Sequence, residues 1–195
     1  MQDIELEQAI DLLLAHTAPV RETERVPLLD AVGRTAAEEV RAGFDNPPFD
    51  RSPLDGYTYA AASTHAASAE HPVRLRVIGE ECAGDFFAGT VGAGACVRIM
   101  TGGAIPAGCD CVVRQEDVRE DGDTIYVSFP SEPYENYCYA GEDIKKGTLL
   151  MQKGQAITAA HIAVLASEGY GDVSVYRRVR AAVASTGDEL LQPGE

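Results

Sequence analysis

The sequence predicts an α+β fold, mostly β with a few helices, and three observations carry that prediction. From Val73 onward, short apolar or alternating runs recur between glycine-rich turns, the pattern of successive strands. Helical spacing of apolar residues is confined to a few short stretches. The 195 residues include nineteen glycines, ten prolines and no tryptophan, a composition suited to many turns and short strands.

The elements follow in order. "DIELEQAIDLLLAHT" places Ile4, Ala9, Ile10, Leu13 and Leu14 three and four residues apart, an amphipathic helix with Asp3 as its N-cap. A short apolar segment at Val26 to Leu29 precedes an expected helical turn over 30–38. "GFDNPPFDRSP" has three prolines in seven residues and reads as a loop or a crossing between domains. "VRLRVIG", "ACVRIMT", "DCVVRQEDV" and "TIYVSFP" are the strands of a small β domain, and "VVRQEDVREDGDTIYVSF" reads as one hairpin. Glycines 141, 147 and 154 punctuate two further short strands. "TAAHIAVLASEG" is a helix capped by Thr158 and stopped at Gly169, with Ile162, Leu165 and Ala166 on one face. "DVSVYRRVRAAVASTGDEL" supplies two strands, the second running into a polar turn where an α/β domain would start.

Composition narrows the partners. Sixteen Lys and Arg against 31 Asp and Glu leave a net charge of −15, which repels nucleic-acid backbones and anionic lipid. With no apolar run of membrane-spanning length and no signal-peptide pattern, the sequence predicts a soluble cytoplasmic protein. The five cysteines are never spaced as Cys-x-x-Cys, and buried reduced thiols are their expected use. The four histidines form no ligand or catalytic pattern.

Candidate chemistry lies in acid-bearing turns. In "SPLDGY", Asp55-Gly56 is the standard signal for a tight turn. "VRIMTGG" and "VASTGDEL" both run an apolar strand into Thr-Gly, at Thr101 and Thr186, where backbone N–H groups can face an oxyanion. Asp188 and Glu189 could hold Mg²⁺ or orient water, or else cap a following helix; Asp143 in "GEDI" has the same two readings. Arg98, Arg114, Lys145 and Lys146 could offset this acidity around an anion, with solvated charge as their default. No nucleophile elbow, Walker loop or helix-opening Gly-x-Gly-x-x-Gly is present.

Taken together and in order, "PPFDRSPLDGY", "VRIMTGGAIPAGCDCVVRQED", "GEDIKKGTLL", "LASEGYGDVSVYRRVRAAVASTGDEL" and the leading helix resemble the N-terminal part of the molybdopterin molybdenumtransferase family, which includes the gephyrin E domain. The resemblance implies an elongated, multi-domain homodimer. It divides this chain into an N-terminal helix and linking segment (1–46), an inserted β domain (47–138), a return to the linking domain (139–178), and the first strand and turn of a truncated cofactor-binding α/β domain (179–195). It also implies the reaction: molybdenum from molybdate enters adenylylated molybdopterin and AMP is released, with Mg²⁺ or a similar cation. Asp55, Thr101 and Glu189 would be catalytic, with Asp55 and Glu189 also holding the metal. Asp143, Ser185, Thr186, Gly187 and Asp188 would bind substrate. Partners would be a second copy, the two substrates and the upstream molybdopterin adenylyltransferase.

Pro53-Leu54, "TGGAIP", and the tyrosines and cysteine of "ENYCYAGED", where the family commonly has arginines, depart from the family pattern. A fragment carrying half of a composite site is expected to be inactive alone. Its alternatives are a noncatalytic gephyrin-like scaffold and an unrelated β protein whose acidic turns are only turns.

Overall fold

In the computed structural model, which describes all residues except 1–3, 83, 85, 184, 186, 188, 193 and 195, the chain runs in the following order. It contains α1 (Leu6–Ala15), β1 (Thr23–Pro27), β2 (Val40–Arg41), β3 (Gly56–Tyr59), β4 (Val73–Glu81), β5 (Ala95–Ile99), β6 (Cys111–Arg114), β7 (Arg119–Asp121), β8 (Thr124–Val127), β9 (Leu149–Met151), α2 (Ala159–Ser167) and β10 (Asp172–Tyr176). The α+β class, mostly β, is as expected. Two units divide the chain: residues 1–40 with 149–195, and residues 41–148.

In the first unit β1 pairs antiparallel with β10, from Thr23 opposite Tyr176 to Pro27 opposite Asp172. β2 pairs with β9. Leu28, Val40, Met151, Ile157, Ile162, Leu165, Val173 and Val175 close one core beneath α2. The start of α2 is set by a reciprocal cap: the His161 N–H donates to Thr158 Oγ1, and the Thr158 N–H donates to His161 Nδ1. His161, which suggested nothing in the sequence, is thus half of a cap. Gly169 (φ +79°) follows the helix, and Ile162 and Leu165 face the core while Ala166 is exposed.

Three expectations change in this unit. Glu5 occupies the N-cap position of α1 without a side-chain bond, and Asp3 lies outside the described residues. The helical turn expected over 30–38 is shorter and earlier, a single 3₁₀ turn at Leu28–Ala31 stopped by Gly33 at φ +77°. Beyond Tyr176 the described residues form no strand, so the expected first strand of an α/β domain is not built. Among the described residues none pairs with the "AAV" run, and a strand without a neighbour leaves its backbone polar groups unmatched.

The second unit is built on a six-stranded sheet in the order β6-β3-β5-β4-β8-β7, antiparallel throughout except for the parallel pair β4-β5. The single hairpin expected over 112–129 is therefore two features: β7 and β8 turn about Gly122, while β6 lies at the opposite edge beside β3. Residues 115–117 form a 3₁₀ turn that breaks the run between β6 and β7. The unit extends beyond 47–138 because its ends are tied together: the Ala42 N–H donates to Thr148 O at 2.9 Å and the Asn46 N–H to Ile144 O at 2.7 Å.

Tyr57, Tyr59, Leu75, Cys96, Cys111, Val113, Ile125 and Val127 form the core on one face of this sheet. Val97 and Ile99 are buried as well, so β5 is covered on both sides. All five thiols are free; Cys96 and Cys111 are buried as expected, but Cys82 is exposed. Burial pushes the Cys96 and Cys111 thiols up to about 12, making them core side chains rather than nucleophiles.

Among the described glycines, Gly56 has the closest backbone neighbour. A Cβ placed there would lie 1.8 Å from the carbonyl oxygen of Val113. Asp55-Gly56 is therefore not a two-residue hairpin turn: Gly56 begins β3, opposite both Ile99 and Arg114, and permits β6 to approach. Gly56→Ala is expected to lower the unfolding free energy by about 3 kcal/mol, whereas Gly92→Ala, which meets nothing within 4 Å, changes it by less than about 0.5 kcal/mol. Urea unfolding of the two variants checks this.

Candidate functional site

At the end of the sheet where β3 begins and β5 finishes, Ser52, Asp55 and Thr101 come together. β5 leaves the sheet into a turn at Met100–Gly103, in which the Gly103 N–H donates to Met100 O at 2.8 Å and Gly102 adopts φ +84°. Ser52 is tied to that turn in both directions: its N–H donates to Gly103 O at 2.9 Å, and its carbonyl accepts from the Gly102 N–H at 2.8 Å. The buried Ser52 hydroxyl donates to Leu54 O at 2.6 Å, holding Pro53-Leu54 in a bend before the strand. The Gln115 N–H then fixes the Asp55 carbonyl at 3.2 Å.

These constraints place the Asp55 carboxylate on Thr101. Asp55 Oδ1 accepts from the Thr101 N–H at 2.7 Å and from the Thr101 hydroxyl at 2.8 Å. The backbone donor, and then the hydroxyl, hold the Asp55 carboxyl below its ordinary value of 3.8; desolvation opposes them, and the Arg98 charge adds a smaller lowering. Asp55 is exposed, and among the described residues no hydrogen bond engages Oδ2. An ionised, oriented carboxylate with one oxygen free is a weak base and a good ligand for a hard cation.

The other expected site residues are placed differently. Asp143 lies in the same unit as Asp55, but its carboxylate faces Arg51 at 3.7 Å. Ser185, Gly187 and Glu189 belong to the first unit, where Glu189 folds back against Gly187, while Thr186 and Asp188 lie outside the described residues. The pair brought together is thus Asp55 with Thr101. Among the described residues no three His, Cys, Asp or Glu side chains are grouped to hold a metal ion. Asp55 alone from this unit still suits Mg²⁺, which commonly takes one or two carboxylates and fills its shell with water and phosphate.

Two residues that frame the site carried little signal in the sequence. Asp50 clamps the loop beyond the sheet: Oδ1 accepts from the Ala140 N–H at 2.8 Å and Oδ2 from the Tyr137 hydroxyl at 2.6 Å. Burial and this carboxylate push the Tyr137 phenol upward. Tyr137 packs with Tyr134 and Tyr139 at ring-centroid distances of 5.3 and 5.0 Å. Tyr134 and Asn136 sit at φ +65° and +50°, held by the Tyr134 N–H on Asp110 O and the Asn136 side chain on Val112 O. Two acids five residues apart, Asp50 and Asp55, were the only hint that one would anchor the loop while the other stayed available.

The sheet end thus presents an exposed, oriented carboxylate on a threonine clamp, inside a two-unit β-rich chain. The comparisons with known proteins give the family. Residues 4–169 match the model of the MoeA N-terminal region (domain I and II). A molybdopterin molybdenumtransferase of Haemophilus influenzae is 35% identical over 192 residues, 97% of this chain and 46% of that protein. One from Staphylococcus aureus is 39% identical over 166 residues, covering 85% and 40%. A crystal structure of a molybdopterin biosynthesis MoeA protein from Pyrococcus horikoshii superposes with a TM-score of 0.84 at 36% identity, over 100% of this chain and 49% of that one. A second, at 40% identity, gives 0.78 over 87% and 45%. The chain belongs to the MoeA N-terminal region family, and it spans about half the length of the relatives it matches. Among the described residues no helix is long and apolar enough to cross a membrane.

The clamp has a measurable consequence. Thr101→Val removes the hydroxyl donor and keeps the N–H, so Asp55 titrates higher than in the native chain yet below 3.8, as read by carboxyl carbon NMR. A carboxyl depressed by folding contributes stability above its unfolded pKa and loses it as pH falls through the folded value. The variant therefore loses less stability than the native chain on acidification from about pH 5 to pH 2.

Proposed function

We propose that this chain supplies the Asp55-bearing half of a molybdopterin molybdenumtransferase, which inserts molybdenum from molybdate into adenylylated molybdopterin and releases AMP. The observation that carries this reading is the Asp55–Thr101 clamp, found in a chain of the MoeA N-terminal region family. Such a reaction brings together pyrophosphate and molybdate oxygens, so charge must be balanced at the reacting centre. Mg²⁺, when bound, would screen those oxygens and polarise the bond that releases AMP. Asp55 and Glu189 are each assigned a metal-holding role in this reading, Asp55 through its free Oδ2. Thr101 keeps Oδ1 engaged and the carboxyl ionised, so Asp55 acts as an anchor rather than as a proton acceptor. Ser52 and Gln115 position its backbone. Asp143, Ser185, Thr186, Gly187 and Asp188 would contact the substrates.

In this reading the 195 residues alone do not turn over, because they span about half the length of the related molybdenumtransferases. A chimera in which the chain replaces the matching half of the Haemophilus influenzae relative is expected to restore molybdoenzyme activity to a strain lacking the transferase. Asp55→Ala in the chimera, with folding checked by circular dichroism, is expected to reduce molybdenum insertion by about 100-fold or more, equivalent to a loss near 3 kcal/mol of transition-state stabilisation. Full activity of that variant, or insertion by the 195 residues unaided, removes the proposal.

Assembly as a homodimer belongs to the same reading, and α1 supports it. None of its residues is buried, and Leu6, Leu13 and Leu14 are 70%, 69% and 66% exposed. Light scattering is expected to give twice the chain mass of 20.8 kDa, falling to the single mass in Leu6→Glu/Leu13→Glu.

A further inference from the structure

The first unit contains a cavity of about 820 Å³ that no residue of the Asp55–Thr101 site lines. Arg21, Arg34, Lys153, Arg177 and Arg178 line it, and no acid does. In a chain with almost twice as many acids as bases, that concentration of cations runs against the composition. It comes from strand register rather than from any local run. Thr23 lies opposite Tyr176, and the Arg177 N–H donates to Glu22 O at 2.9 Å, which brings the segment before β1 beside the segment after β10. The Tyr176 N–H donates to Thr35 O at 2.9 Å, and the Gly154 N–H to Ala36 O at 2.8 Å, which adds the Gly33–Ala37 turn and Lys153.

The five cations are not equivalent. Arg34 is buried, donates to Glu24 and to Tyr176 O, and forms a neutralised floor. Arg177 meets Glu22 at 3.8 Å. Arg21, Lys153 and Arg178 are exposed and have no ion-pair partner among the described residues. Three unpaired cations around one concavity repel each other and lower that repulsion by sharing a multivalent anion. Thr23 and Thr35 line the same space and can add hydroxyl donors. The volume lies in the range of small-molecule sites, and a net charge of −15 disfavours a long polyanion.

We propose that this cavity binds a small, multivalent, phosphate-bearing anion through Arg21, Lys153 and Arg178. The test is calorimetric titration of the 195-residue chain with pyrophosphate and tripolyphosphate at low salt without divalent cations, with sulfate as the comparison. Saturable binding at one site is expected, tighter for either polyphosphate than for sulfate. Lys153→Glu/Arg178→Glu is expected to weaken it at least tenfold. Arg74→Glu/Arg119→Glu, with the same charge change placed on the second unit, is expected to weaken it less than twofold. If the first double variant unfolds in a thermal melt, Arg21→Gln/Arg178→Gln takes its place, with the same tenfold loss expected. Absence of saturation, equal weakening by both placements of charge, or sulfate binding as tightly as pyrophosphate overturns the proposal.

Discussion

The second unit depends on one close approach, the passage of the Val113 carbonyl over Gly56. β3 lies between β5 and β6, and its first residue faces both. Only a residue without a Cβ allows β6 to close at that point. Because β3 cannot shift there, the residue before it is fixed at the sheet end, beside the turn into which β5 runs. The Asp55–Thr101 clamp is thus a product of sheet packing, and the short polar bonds around Ser52 refine a position that strand order has already set. This is why a carboxylate on an exposed loop can be held on a single partner without burial.

Local patterns were legible because their causes are local. Thr158 and Gly169 bracket α2 in the sequence, and the apolar alternation of Val73 to Val77 is the alternation of a strand in a sheet. The family and the mostly β class were readable for the same reason: motifs of a few residues keep their order along the chain. Gly56 was misread as turn chemistry because Asp-Gly has two uses, and which one applies depends on a strand more than fifty residues later. The split of the expected hairpin has the same origin, since β6 prefers an edge beside β3 to a partner nearby in sequence.

The candidate site was legible in part. Asp55 and Thr101 were singled out separately, and their contact came from the fold. Asp143 had two readings, ligand or turn residue, and its proximity to Arg51 depends on a bridge between Arg51 and Cys138 that the sequence does not show. The cationic cavity left no trace in the sequence, because its bases come from positions 21, 34, 153, 177 and 178, each in an ordinary local setting. Such sites arise from register, and register is not written in any one segment.

The division of the chain carries a consequence for the order of events during synthesis. Residues 41–148 are continuous, so every strand of the second unit is available once its last residue has left the ribosome. The first unit must wait, because β1 has no partner until β10 emerges, and bringing them together closes a loop that contains the whole second unit. The entropic cost of closing that loop is smaller when its contents are already compact, since the span left to search is shorter. The unit that begins first along the chain is therefore the one completed last, after the continuous unit has folded.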